Sequence, residues 1–188
     1  CLPDEAYQKI DQILLVRPDI TFRLFQFLNC QEIDISFLKN MPHMKRLRID
    51  CIDFKSNTNR INLSVLAELS LKSLHMECFD LIDYEFIQNL SDELEELFIM
   101  ADTMGAGIRF DCTWLLKYKN LHTLWLGKKA KKNLEKINQL PKLKSLSLRG
   151  IKLTDFSFLW KMNLEKLALL WNSNSNLNEL ANLKSLKE

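Results

Sequence analysis

Glycine and proline are scarce, at four of each in 188 residues. A collagen-like chain, which needs glycine at every third position, is excluded, and so is low-complexity disorder rich in these two residues. No apolar run approaches the roughly 18–20 residues that cross a bilayer as a helix, so no transmembrane segment is expected. Catalytic signatures are missing too. The histidines His43, His75 and His122 form no HExxH arrangement and stand beside no nucleophile motif. Neither GxSxG, GxxxxGKS/T nor GxGxxG occurs, and Gly105 with Gly107 lacks the lysine of a phosphate loop. The expectation is a chain without enzymatic activity and without a cofactor.

Cysteine comes in an odd number: Cys1, Cys30, Cys51, Cys78 and Cys112. Disulfide frameworks show even counts in smaller chains. The five therefore read as free thiols packed as small apolar residues, with Cys30, Cys51 and Cys78 near strand ends. Free thiols favour the cytoplasm. The alternative is a secreted or surface-attached chain whose leader is removed and whose Cys1 is acylated. A dominant charge is also lacking, with a net value of +2. Its distribution is uneven: Trp114 to Glu188 carries 15 Lys and Arg against five Asp and Glu, and the rest carries 11 against 19. The plain reading is solvated surface of opposite sign at the two ends.

What the chain has in quantity is leucine at fixed intervals. Apolar residues recur at relative positions 0, 3 and 5: Phe22, Phe25, Phe27; Met44, Leu47, Ile49; Leu71, Leu74, Met76; Leu94, Leu97, Ile99. The series continues with Leu121, Leu124, Leu126; Leu143, Leu146, Leu148; and Leu164, Leu167, Leu169, while Leu183 and Leu186 open an eighth copy that is cut off. Positions 3 and 5 share one side of an extended strand. A single strand of this kind cannot bury its apolar side alone, but parallel copies stacked in sequence close a continuous core. Strands are predicted near 24–28, 46–50, 73–77, 96–100, 123–127, 145–149 and 166–170. Ile137, Leu140, Leu143 and Leu38, Met41, Met44 step in threes, which predicts short helical or 3-10 returns on the outer side. Asn62 or Ser64 is placed to cap such a segment over Val65–Leu69. Tyr7, Ile10, Ile13 and Leu14 have helical spacing and Pro18 stops them, so residues 1–21 read as an N-terminal capping helix. Residues 22–188 then form the repeat domain, seven repeats plus the truncated eighth.

The segment from Leu143, LKSLSLRGIKLTDFSFLWKMNLEKLAL, resembles leucine-rich repeats of the short bacterial internalin-like kind. The resemblance covers roughly residues 20–188 and implies an α/β solenoid with a parallel sheet on the concave face and 3-10 or helical returns on the convex face. It also implies protein binding rather than catalysis. One departure stands out. The position usually held by Asn, eight residues after the first leucine, carries Cys30, Ile52, Phe79, Asp102, Lys129, Ile151 and Asn172, of which only Asn172 matches strictly.

Positions +4 and +6 of each strand face away from the core. The +4 column reads Gln26, Arg48, His75, Phe98, Trp125, Ser147, Ala168, and the +6 column Leu28, Asp50, Glu77, Met100, Gly127, Arg149, Leu170. Phe98, Met100 and Trp125 are therefore expected as an exposed apolar patch, with Leu170 and Trp171 beyond it and Arg48, His75 and Arg149 as its polar rim. Large aromatic residues exposed among charges suit the anchoring of a protein or peptide partner. Asp50, Cys51, His75, Glu77 and Cys78 are zinc-ligand types in adjacent columns. Side chains on parallel strands diverge, however, so no metal is expected. Two rival readings exist. One is nucleic-acid binding through Lys128, Lys129, Lys131 and Lys132 with stacking on Trp125. The other is a specificity arm for a larger effector enzyme.

Overall fold

The computed structural model describes residues 2–25, 32–51, 59–78, 81–101, 107–153, 155–170 and 177–187. Helix α1 (Asp4–Val16) leads into strand β1 (Thr21–Phe25). Strands β3 (Arg46–Cys51), β5 (Ser73–Cys78), β6 (Glu96–Ala101), β7 (Thr123–Gly127), β8 (Ser145–Arg149) and β9 (Lys166–Leu170) follow, with two short outer strands, β2 (Glu32–Asp34) and β4 (Asn59–Ile61). The seven longer strands make one parallel sheet in the order β1-β3-β5-β6-β7-β8-β9, and β2 pairs with β4 separately. Each return between sheet strands is a 3-10 helix, such as Ser36–Asn40, Leu63–Ala67 and Leu134–Gln139. No helix among the described residues is long and apolar enough to cross a membrane.

The alternation forecast from the leucines holds over the middle of the sheet. Leu47, Ile49, Leu74, Met76, Leu97, Ile99, Leu124, Leu126, Leu146 and Leu148 are all buried, facing Leu38, Leu66, Ile87, Leu115, Ile137 and Leu159 from the returns. Burial of one such side chain contributes about 1.5–3 kcal/mol, so the core is a row of equivalent layers rather than a single centre. Tyr7 and Leu14 of α1 are buried at its first end, and Asp11 fixes the helix by accepting from the His43 backbone N–H at 2.9 Å.

Both end repeats differ from expectation. In the first, Phe22 pairs in register with Leu47, and Leu24 with Ile49. The core pair is thus Phe22 and Leu24, the strand is 21–25 rather than 24–28, and Phe25 faces outward, 50% exposed. Position zero is then Asp19. Helix α1, not another return, precedes this repeat, so no leucine is required there, and Asp19 instead binds Arg17 at 2.7 Å. The former column positions Gln26, Phe27, Leu28 and Cys30 lie outside the described residues. At the other end, the Lys187 N–H donates to Glu165 O at 2.8 Å, as the Glu165 N–H does to Lys144 O. That equivalence makes Leu186 position zero of the eighth repeat and leaves Leu183 directly after the preceding return, Leu177–Asn182.

The convex side carries a second repeating signal. In Asp34–Ile35–Ser36, Asp83–Tyr84–Glu85, Asp111–Cys112–Thr113 and Asp155–Phe156–Ser157 the aspartate accepts the backbone N–H two residues on, at 2.7, 2.9, 3.0 and 2.6 Å. The middle residue of each triplet is buried. This local turn starts the return and satisfies a donor that the helix leaves unpaired. Two repeats have asparagine instead, Asn62 and Asn133, in the left-handed region with φ of 62° and 56°. Asparagine tolerates that backbone better than most residues. The Asn62 amide donates to Asp34, and that of Asn133 to both oxygens of Asp111, each at 2.9 Å. Asn62 does precede a return, Leu63–Ala67, but its side chain makes no capping bond to it.

Length variation is confined to one side of the strands. Between each return and the next sheet strand lie five or six residues: 41–45, 68–72, 90–95, 118–122, 140–144 and 160–165. The longer intervals all follow a strand, at 26–35, 52–62 and 102–111, against 79–84, 128–133 and 150–156 in the short repeats.

Candidate functional site

Pairing places one residue from each sheet strand in a continuous row on the concave face: Arg23, Arg48, His75, Phe98, Trp125, Ser147 and Ala168. Three of them stack as rings. The His75 and Phe98 centroids lie 3.6 Å apart with planes 11° from parallel, and Phe98 and Trp125 4.0 Å apart at 17°. Each such pair contributes roughly 0.5–1.5 kcal/mol beyond its buried area. Phe98 and Trp125 are half-buried, each ring covered by its neighbours along the row. The sequence placed these two rings side by side, and the structure stacks His75 on them.

Met100 departs from the expected patch. It is buried, at 4% exposure, because Arg149 lies flat across the sheet and its Nη1 donates to Met100 Sδ at 3.5 Å. Gly127 stands beside Arg149 in the register, in the column between the two, and offers no side chain to block the arm. The same device recurs nearer the first end. Arg46 reaches Glu96 at 2.5 Å over Ser73, which pairs with both. Alternation along a strand fixes which side a residue faces but not what lies over it. Leu170 is exposed, at 45%, as expected, and Trp171 lies outside the described residues.

A charged network borders the rings. Asp50 is fully buried and accepts from Arg23 Nε and, at 2.7 and 2.9 Å, from Arg48 Nε. Arg48 also meets Glu77 at 3.5 Å, and His75 Nε2 lies 3.8 Å from the same carboxylate. Arg23 was missed by the sequence reading because the first repeat was placed three residues late. Burial, and then the neighbouring Arg48 charge, push the His75 imidazole down to about 4, so it is neutral at pH 7. Asp50, His75 and Glu77 hold donor atoms within 4.8 Å of one another. Two guanidinium groups already occupy Asp50 and supply the positive charge that an ion would bring. The backbones of Cys51 and Cys78 pair in register, while their side chains, with Cys30, lie outside what is described. Cys112 is a free buried thiol, and burial raises its pKa.

His75 gives a pH prediction. A histidine whose folded value lies below its unfolded one contributes stability above about pH 6.5 that is lost as pH falls toward 4, because the unfolded chain takes up the proton first. The loss expected over that window is of order 2–3 kcal/mol. His75→Phe keeps a ring in the stack and should flatten this part of the stability profile, measured by urea unfolding at pH 7 and 4.5. Identical slopes for both proteins would refute the assignment.

The basic run is partly committed to the fold. Lys132 meets Asp111 at 3.0 Å, and Asp111 also holds Thr113 and Asn133. Burial alone would raise the Asp111 carboxyl, but the bonds from Asn133, the Thr113 backbone and hydroxyl, and Lys132 outweigh it and hold it below the usual carboxylate range.

No family profile and no curated protein matches this sequence. Solved structures do. An internalin (inlF) from Listeria monocytogenes superposes with a TM-score of 0.57 at 17% identity, over 97% of this chain and 59% of its own. An internalin C2 from the same organism gives 0.58 at 19% identity, over 95% of this chain and 81% of its own. This chain thus spans somewhat over half the length of the first of these proteins. The fold is that of the internalin-like leucine-rich-repeat solenoid.

Proposed function

We propose that this chain is a non-enzymatic recognition module that binds a protein or peptide partner through its concave face. The observation that carries this reading is the three-ring row His75, Phe98, Trp125, held partly exposed on the parallel sheet. Preset aromatic surface offers large contact area at little cost in side-chain entropy, as binding anchors do. The solenoid supplies the frame, and residues outside the leucine positions supply the specificity.

Affinity capture from the host, comparing wild type with the Phe98→Ala, Trp125→Ala double variant, tests it. The partner is expected to be lost, with at least about 2 kcal/mol of binding removed, roughly thirtyfold. Stacking energy also leaves the fold, so the melting temperature should fall by several degrees while the variant stays folded. Undiminished capture would refute a concave binding face. So would collapse of the double variant, since the rings would then be core.

A further inference from the structure

We infer that the cleft between the returns Leu134–Gln139 and Ser157–Leu159 is a binding site for a free α-amino acid with an apolar side chain. The cleft has a volume of about 510 Å³, within the range of about 300–1,000 Å³ in which small-molecule sites fall. None of the residues that line it belongs to the concave row, and the function proposed above does not use them. Its floor is apolar. Leu134 and Ile151 are buried there. Leu153 and Phe158 pack against the core but stay partly exposed, so they offer aliphatic and ring surface to a side chain from outside.

The rim carries charge of both signs, sorted by position. Lys131 and Lys152 stand on the segments that leave strands β7 and β8, whereas Glu135 and Asp155 stand where the two returns begin. Asp155 accepts from the Ser157 backbone N–H and hydroxyl at 2.6 and 3.0 Å. Those bonds hold its carboxyl below the ordinary value, so it is ionised at pH 7, and its oxygens keep lone pairs for a further donor. Glu135 meets only Lys136 among the described residues, at 3.8 Å with both side chains about half exposed, a pair weak enough to yield to a ligand. Lys131 and Lys152 are exposed and form no ion pair among the described residues. An occupant of one sign would be repelled by half of this rim. A zwitterion satisfies all of it, with its carboxylate toward the lysines, its ammonium toward the acids and its side chain on Leu153 and Phe158. Within a peptide both charges are consumed in amide bonds, and a peptide terminus keeps just one of them. The free amino acid alone carries the two on one carbon.

Titration of the nitrogen-15-labelled full chain with phenylalanine, followed by its amide NMR shifts, tests this. Saturable binding with a Kd of roughly 0.1–1 mM is expected for so small a ligand, with the shifts centred on 131–138 and 151–158. N-acetylphenylalanine lacks the ammonium and stands for a peptide C-terminus, and phenylalaninamide lacks the carboxylate and stands for an N-terminus. Each should bind at least about tenfold more weakly. Lys152→Glu and Glu135→Lys change exposed residues that leave the core untouched, and each should weaken phenylalanine binding by a similar factor. No saturation by about 10 mM would overturn the inference, as would shifts centred on the sheet strands instead. So would equal affinity for either analogue, or indifference to both variants. Glycine binding as tightly as phenylalanine would overturn it too, because the apolar floor would then play no part.

Discussion

Asp50→Ala is expected to destabilise the protein by about 3 kcal/mol, the largest effect of any single change on the concave face. The carboxylate is fully buried and accepts from two guanidinium groups, those of Arg23 and Arg48. Removing one partner of a buried pair usually costs about 3–5 kcal/mol because the charge left behind is unpaired. Here the partners left behind are 47% and 34% exposed and can recover some hydration, which puts the effect at the low end. Asp50→Asn keeps the shape and part of the hydrogen bonding, so it should lose roughly half as much. Replacing all three residues with apolar side chains of similar size is expected to come close to wild type, as buried ion networks elsewhere do. Urea midpoints for the three variants at pH 7 decide the matter. A loss below about 1 kcal/mol for Asp50→Ala would mean that water already does the work assigned to the carboxylate.

On the opposite face, Asp111→Ala should cost about 2–4 kcal/mol. Loss of the turn at Thr113 accounts for about 1 kcal/mol. The remainder comes from the Asn133 amide, which donates to both carboxylate oxygens and would be left in a partly buried place without an acceptor. Asp111→Asn preserves an acceptor for Thr113 but sets amide against amide at Asn133, so only the turn should be recovered. The acid dependence follows in sign. A carboxyl held below its unfolded value contributes stability above about pH 4 that disappears as pH falls further. The gap between wild type and Asp111→Ala should therefore narrow between pH 5 and 3. A gap that stays constant would show that charge at Asp111 is immaterial.

Strand positions were legible because three apolar points at fixed spacing leave few ways to align a repeat. Where the pattern failed, the physics identifies why. TFRLFQF alternates well enough to admit two registers, and the polar Asp19 at position zero hid the true one. Leu183 and Leu186 share the step of three that returns and strand entries have in common, so the last repeat was placed three residues early. Burial of Asp50 and Met100 depends on arginines at Arg23 and Arg149, 27 and 49 residues away, and no local pattern encodes such reach. The aspartate triplets of the convex side were readable, since aspartate, a buried residue and a hydrogen-bonding turn recur ahead of four returns. They stand ahead of the return, at a different position of the repeat from the asparagine ladder of the family pattern.

The uneven spacing between strands and returns has a consequence for how this molecule can diversify. Every interval leading into a strand is five or six residues, and all extra length is placed after a strand. Added residues therefore fall along a single margin of the ribbon, downstream of the residues that fix pairing. Length there can change without resetting the rows. The chain thus separates the coordinates of its scaffold from the territory open to drift.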